Sequence, residues 1–204
     1  MQSLFDVITS VIVAGMVMIS MFTALLAMQA QSFNSQIYMN MENNTAEIVR
    51  IIKNYYLGSV GVGTTSAPII TATTTQFRFR TFIDPGTGTA TSTDVSIEER
   101  TISGKKSIWI YRNNNYNQKL FGPFDLSADG LTFTYYGVRP PIPPEILPKE
   151  VKIMQPNIAA GRDSIKSVEM NINFAREGLN FRTNTPLYIT NHIVIWKYFE
   201  KLYY

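Results

Sequence analysis

From Val7 to Met28 the chain is apolar on every side, broken only by the hydroxyls of Ser and Thr and by Gly15; from Gln29 to Leu57 it turns polar, and one set of apolar residues recurs at spacings of three, four and seven. An all-round apolar run of this kind predicts a helix that crosses lipid or sits wholly in a core. The return spacing predicts a helix with one apolar stripe. The first run would rise about 33 Å as a helix, against a hydrocarbon layer of roughly 30 Å. In the second, Phe33, Ile37, Met41, Ile48, Ile52 and Tyr55 or Tyr56 form the stripe, while Glu42, Glu47, Arg50 and Lys53 fall on the other face. No Pro occurs before Pro68, and Gly15 is the only Gly before Gly58, which is placed to close the helix as a C′ residue. One helix from about Ser3 to Leu57 is therefore expected, its second half needing a partner to cover the stripe. Ile37, Met41, Ile48, Ile52 and Tyr55 are the positions expected to make that packing.

Beyond residue 57 the pattern changes period. FRFRTFI at Phe77–Ile83, SIWIY at Ser107–Tyr111 and VEMNINF at Val168–Phe174 alternate with period two, the signature of strands with one buried face. Further strands are expected at Ile69–Thr74, Val95–Ile102, Leu131–Tyr136 and Tyr188–Phe199, the last also open to a reading as a terminal helix. DPGTGT at Asp84–Thr89, SGKK at Ser103–Lys106, ADG at Ala128–Gly130 and REG at Arg176–Gly178 read as hairpin connections. The fold class expected is α+β. Residues 1–57 form a membrane or filament-core helix, and residues 58–204 form a head built on antiparallel sheet.

Composition narrows the function classes. With 18 Lys and Arg against 15 Asp and Glu, the net charge of +3 is too small and too dispersed to attract nucleic acid. There is no cysteine, hence no disulfide, thiol nucleophile or thiolate metal site. His192 is the single histidine, set in an apolar and aromatic stretch, and reads as structural rather than as a ligand. No P-loop, nucleophile elbow or dinucleotide fingerprint is present, and GVG at Gly61–Gly63 reads as a flexible turn. No enzyme activity, cofactor or metal is expected. The many aromatic residues, Trp109, Tyr135, Tyr136 and Trp196 among them, are expected to serve packing. Asn113, Asn114 and Asn115, and the Pro-rich stretch with Pro140, Pro141, Pro143 and Pro144, are candidates for contact with other subunits or surfaces, or else plain solvated connections.

One charge stands out at the apolar end. Asp6 is the only charged side chain before Glu42, and no Lys or Arg precedes Arg50. A secretory signal has a basic n-region and a cleavage site, so this run is not an ordinary signal peptide. A single-pass anchor usually carries flanking basic residues too. The expectation is a mature form from which a short basic leader has been cut, with a native start at Met1 as the alternative.

A long N-terminal helix, half apolar and half amphipathic, feeding an antiparallel β head resembles the type IV pilin superfamily: pilins, minor pilins and type II secretion pseudopilins. The order of SIWIYRNNNYNQKLFGPFDLSADGLTFTYYG, DSIKSVEMNINFAREG and TNTPLYITNHIVIWKYF is also similar to that of the larger minor pilins and J-type pseudopilins. The stretch Arg139–Pro148 is an extra loop against that pattern. Family members carry a leader removed by a dedicated prepilin-type peptidase and usually an acidic residue at mature position 5. Asp6 falls on that position if the mature chain starts at Gln2, and one place off if it starts at Met1.

The resemblance implies a subunit that is membrane-inserted before assembly, is handled by inner-membrane machinery and ends in an extracellular helical homo-oligomer. Asp6, with Phe5 and Gly15, is then expected to set the register between stacked helices. A favourable place for an acid near a helix N-terminus is the alternative account of Asp6. The competing readings of the whole chain are a monomeric membrane-anchored binding module and a type II secretion pseudopilin.

Overall fold

The computed structural model describes residues 2–63, 67–83, 91–102, 104–113, 115–119, 125–143, 146–179 and 186–199. Helix α1 runs from Gln2 to Arg50 and continues without a break into a π-helical turn at Ile51–Tyr56 and a 3-10 turn at Leu57–Ser59. The absence of Pro, and of any Gly but Gly15 before residue 58, lets the backbone ladder run this far. Gly58 does not act as a left-handed cap: the helix tightens through it and leaves at Val60, whose φ of −55° and ψ of 123° are extended. The left-handed step comes three residues later than expected, at Gly61, with φ of 74°. Its N–H donates to the Arg80 carbonyl at 3.1 Å.

Nine strands follow in the described residues. They are β1 (Ile69–Ala72), β2 (Gln76–Ile83), β3 (Thr91–Ile102), β4 (Lys105–Arg112), β5 (Asn115–Lys119), β6 (Asp125–Arg139), β7 (Lys149–Lys152), β8 (Ser167–Leu179) and β9 (Pro186–Tyr198), with a short helix α2 (Ala159–Ser164) between β7 and β8. The order across the sheet is β1-β2-β3-β4-β6-β8-β9, with β5 on β4 and β7 on β6. Every pair with a defined register is antiparallel. The last element is a strand, not a helix. This is the α+β, pilin-like arrangement expected from the sequence.

Two expected hairpins are absent. ADG lies inside β6, where the register against β8 slips between Leu126 and Leu131, so its Asp and Gly serve a bulge rather than a turn. REG lies inside β8, which runs on to Leu179. SGKK does fall between β3 and β4, while DPGTGT lies outside the described residues.

The chain divides into two compact units, Met1–Met41 with Glu177–Ile189, and Glu42–Arg176 with Thr190–Tyr204. In the first, Ile37 and Met41 are buried, and a β-carbon on Gly178 would come within 2.8 Å of Asn34 Oδ1 and 3.0 Å of Ile189, so only hydrogen fits there. In the second, Ile48, Ile52, Tyr56, Leu57 and Val60 are buried against the sheet. Each such apolar side chain contributes about 1.5–3 kcal/mol on burial, so the stripe is a major part of what holds this end of the helix in place.

Alternation in β2 buries Phe77, Phe79 and Thr81. Phe77 is the hub of the core, with ring centroids 5.6 Å from Tyr135, 6.0 Å from Phe133 and 6.1 Å from Phe199. Tyr135 satisfies its buried hydroxyl by donating to the carbonyls of Thr73 (2.8 Å) and Gln76 (3.2 Å). The β1–β2 turn is thereby tied to β6.

Candidate assembly surface

The helix leaves its first half uncovered. No described side chain from Ser3 to Gln36 is buried, and Leu4, Phe5, Val11, Met18, Ile19 and Phe22 are among the many large apolar groups fully presented. The segment Ser3–Ser59 has the length and composition of a membrane-crossing helix. Three of its hydroxyls are provided for within the helix: Thr9 donates to the Phe5 carbonyl (2.8 Å), Ser20 to Met16 (2.9 Å) and Thr23 to Ile19 (2.8 Å).

Asp6 and Phe5 are exposed at the free end, Asp6 just past the first helical turn. Gly15 has nothing within 4 Å of where its β-carbon would be. Asp6 and Gly15 are nine residues apart, about two and a half turns, so they face opposite sides of the helix. The helix does not bring these three residues together.

At the other end the stripe positions divide. Ile37, Met41, Ile48 and Ile52 are buried, but Tyr55 is 45% exposed and Tyr56, at 2%, takes the inward place. The π turn explains the choice: its extra residue advances the inward face by one position after Ile52. Arg112 of β4 clamps this turn. Its guanidinium donates to the Tyr56 hydroxyl at 3.1 Å and lies 5.9 Å and 5.7 Å from the Tyr55 and Tyr56 ring centres. Thr81 adds a hydrogen bond to the Ser59 carbonyl (2.6 Å), and Asn191 one to Thr45 Oγ1 (3.3 Å).

The expected surface contacts fare differently. Asn113 is engaged locally: with φ of 50° it closes the turn after β4, donating its N–H to the Asp94 carbonyl (2.8 Å) and accepting the Asp94 N–H on Oδ1 (3.0 Å). Asn115 opens β5, and Asn114 lies outside the described residues, as does Pro144. Pro140, Pro141 and Pro143 are exposed between β6 and β7. What the sequence reading missed is the aliphatic string that follows, in which Ile146 (89% exposed), Leu147, Val151 and Met154 all face outward. A run of Pro with intervening Ile and Leu was the available signal.

The aromatic residues also divide. Tyr135 is core, and Trp109 is half-buried beside Tyr111 with Arg100 5.6 Å from its ring. Trp196 and Tyr198 stand on the outer side of β9, and His192 is exposed on that same strand. Among the described residues no three His, Asp or Glu side chains gather as metal ligands would. Compared with models of known protein families, with curated proteins and with solved structures, the chain matches none.

Proposed function

We propose that the chain is a structural subunit of a type IV pilus-like filament, anchored in the inner membrane by its helix before assembly and polymerising through that helix afterwards, with the β head on the outside of the filament. The observation that carries this reading is a single helix whose first half buries nothing while its second half is built into a folded head. Soluble monomers rarely expose apolar patches beyond a few hundred Å². Lipid satisfies that surface first, and a bundle of like helices satisfies it after extraction.

Asp6 favours the filament over a plain anchor. A carboxylate deep in a bilayer costs up to about 2.5–3.5 kcal/mol, less near the edge, and with Asp6 past the first helical turn the helix dipole returns little of that to an anchor. In a bundle, the carboxylate pairs with a cationic group of a neighbouring subunit, such as its terminal amine, and a desolvated pair of that kind penalises every other register. A monomeric binding module leaves Asp6 without a partner. A secretion pseudopilus is a variant of the same assembly.

The test is Asp6→Ala in the native host, read by membrane fractionation and by electron microscopy of sheared surface material identified by mass spectrometry. The variant is expected in the membrane at parental levels, with filaments absent. Normal filaments from the variant would remove the register role. Surface material from the parent that lacks the chain altogether overturns the filament reading.

A further inference from the structure

The outer face of β6, β8 and β9 carries an arrangement that neither the core nor the helix uses. On β8, Val168, Met170, Ile172 and Phe174 point inward, so Glu169, Asn171 and Asn173 point outward. On β9, Ile193 and Ile195 point inward, leaving Trp196 (39% exposed) and Tyr198 (41%) outward. Tyr136 of β6 joins them: its ring lies 4.7 Å from that of Trp196, tilted by 40°. The Phe199 N–H donates to the Lys166 carbonyl at 2.8 Å, so the end of β9 runs beside the start of β8 and Trp196 shares this part of the face with Glu169.

The polar groups between the rings are fixed. Glu169 accepts the Tyr136 hydroxyl on Oε2 (2.6 Å) and the Asn171 amide on Oε1 (2.8 Å). Both bonds hold the Glu169 carboxyl below its ordinary range, so it is anionic at neutral pH. Each oxygen keeps further lone-pair capacity. The face therefore offers flat aromatic surface beside a rigid, hydrogen-bond-accepting carboxylate, and its complement is a ligand with an apolar plane edged by hydroxyl donors.

We propose that this face binds a neutral polysaccharide, the rings of Trp196, Tyr198 and Tyr136 stacking on the C–H faces of pyranose units while Glu169 accepts their hydroxyls. A β-linked glucan fits best, because its equatorial substituents leave both faces of each sugar ring flat and apolar. The Tyr136 and Trp196 rings lie partly against each other, leaving no room for an organic cation between them and the exposed side of Trp196 to meet a sugar. Among the described residues, Val194 of β9 and Val138 of β6 are the large aliphatic groups exposed on this face, too little for a lipid surface. A glycan-binding head stands whether or not the helices polymerise.

The experiment uses the full chain in a polyoxyethylene detergent, which carries no sugar headgroup. Affinity is measured for every variant by electrophoretic retardation through graded concentrations of hydroxyethyl cellulose, and for chains that keep Trp196 also by tryptophan fluorescence with a β-linked gluco-oligosaccharide in a Trp109→Phe background. Retention and a fluorescence change are expected, with affinity falling roughly tenfold or more in Trp196→Ala and in Glu169→Gln while each variant remains folded at the assay temperature. Should Trp196→Ala prove unstable, Tyr198→Ala takes its place with the same expectation. Undiminished binding by these variants overturns the proposal, and so does no binding to glucan, mannan or galactan. Self-association that the same substitutions abolish, without glucan retention, would assign the face to a second copy of the chain and equally overturn it.

Discussion

The carboxylate of Glu99 occupies the space where a side chain at Gly130 would be. Oε2 of Glu99, on β3, accepts the Leu131 N–H at 2.9 Å, and Oε1 pairs with Lys106 Nζ of β4 at 2.9 Å. A β-carbon on Gly130 would fall on Oε2, and the backbone there has φ of 39°. The bulge in β6 thus delivers its orphan N–H to an acid on β3, two strands away in the sheet.

Gly130→Ala should therefore cost about 2–4 kcal/mol, from the left-handed conformation and from displacing Glu99 out of both contacts. The denaturant midpoint of the head, followed by near-ultraviolet circular dichroism, measures it. A midpoint equal to that of the parent would mean that the bulge is held by something other than this pair.

Ile48→Asp places a charge where the native side chain is 1% exposed, beneath the sheet. The expected loss is about 3–5 kcal/mol, the scale of a buried charge without a partner. Glu47→Ala, one position along and exposed, should stay within about 0.5 kcal/mol. Thermal melts of both variants separate a packed stripe from a helix that is merely tethered: equal melting temperatures would dismiss the packing.

The Tyr136–Glu169 pair makes stability depend on pH at both ends of the scale. Its hydrogen bond, with some burial, pushes the Tyr136 hydroxyl from 10.0 up to about 12. The folded protein thus keeps a proton that the unfolded chain releases from pH 10.0 upward, so this contribution is complete below pH 10.0 and is lost as pH rises towards about 12. Glu169 is shifted the other way, from 4.5 downward, first by Tyr136 and then by Asn171. Its contribution is present above pH 4.5 and disappears as pH falls through the depressed folded value. In Tyr136→Phe both limbs of the stability profile should flatten. A variant that unfolds in alkali with the parental profile would show that another group sets that limb.

How much of this was written in the sequence depends on whether a segment has two faces to distinguish. Ile48 and Ile52, or Phe77 and Phe79, lie opposite polar neighbours, and their spacing announced helix and strand before any coordinate was known. The edge strands NYNQK and KEVK gave no such sign. β7 is exposed along its whole length and β5 is polar throughout, because an edge strand placed on a neighbour need bury neither face. ADG misled because Asp and Gly mark left-handed backbone, which a bulge needs as much as a hairpin does.

At the candidate surfaces the limit is similar. Spacing put Tyr55 and Tyr56 equally on the stripe, and only the π turn decides between them. The outward aromatic face required knowing that Tyr136 and Trp196, on strands with β8 between them, lean together. No local pattern carries that information.

The hydroxyls of Thr9, Ser20 and Thr23 have a last consequence. Because each is bonded to its own helix one turn back, these three hydroxyls ask no hydrogen bond of whatever surrounds the apolar half. Moving that half from lipid to a sheath of neighbouring helices leaves every one of these bonds intact. In the filament proposed above, such a transfer would rest on shape and on Asp6, and an apolar segment of this kind would in effect be portable.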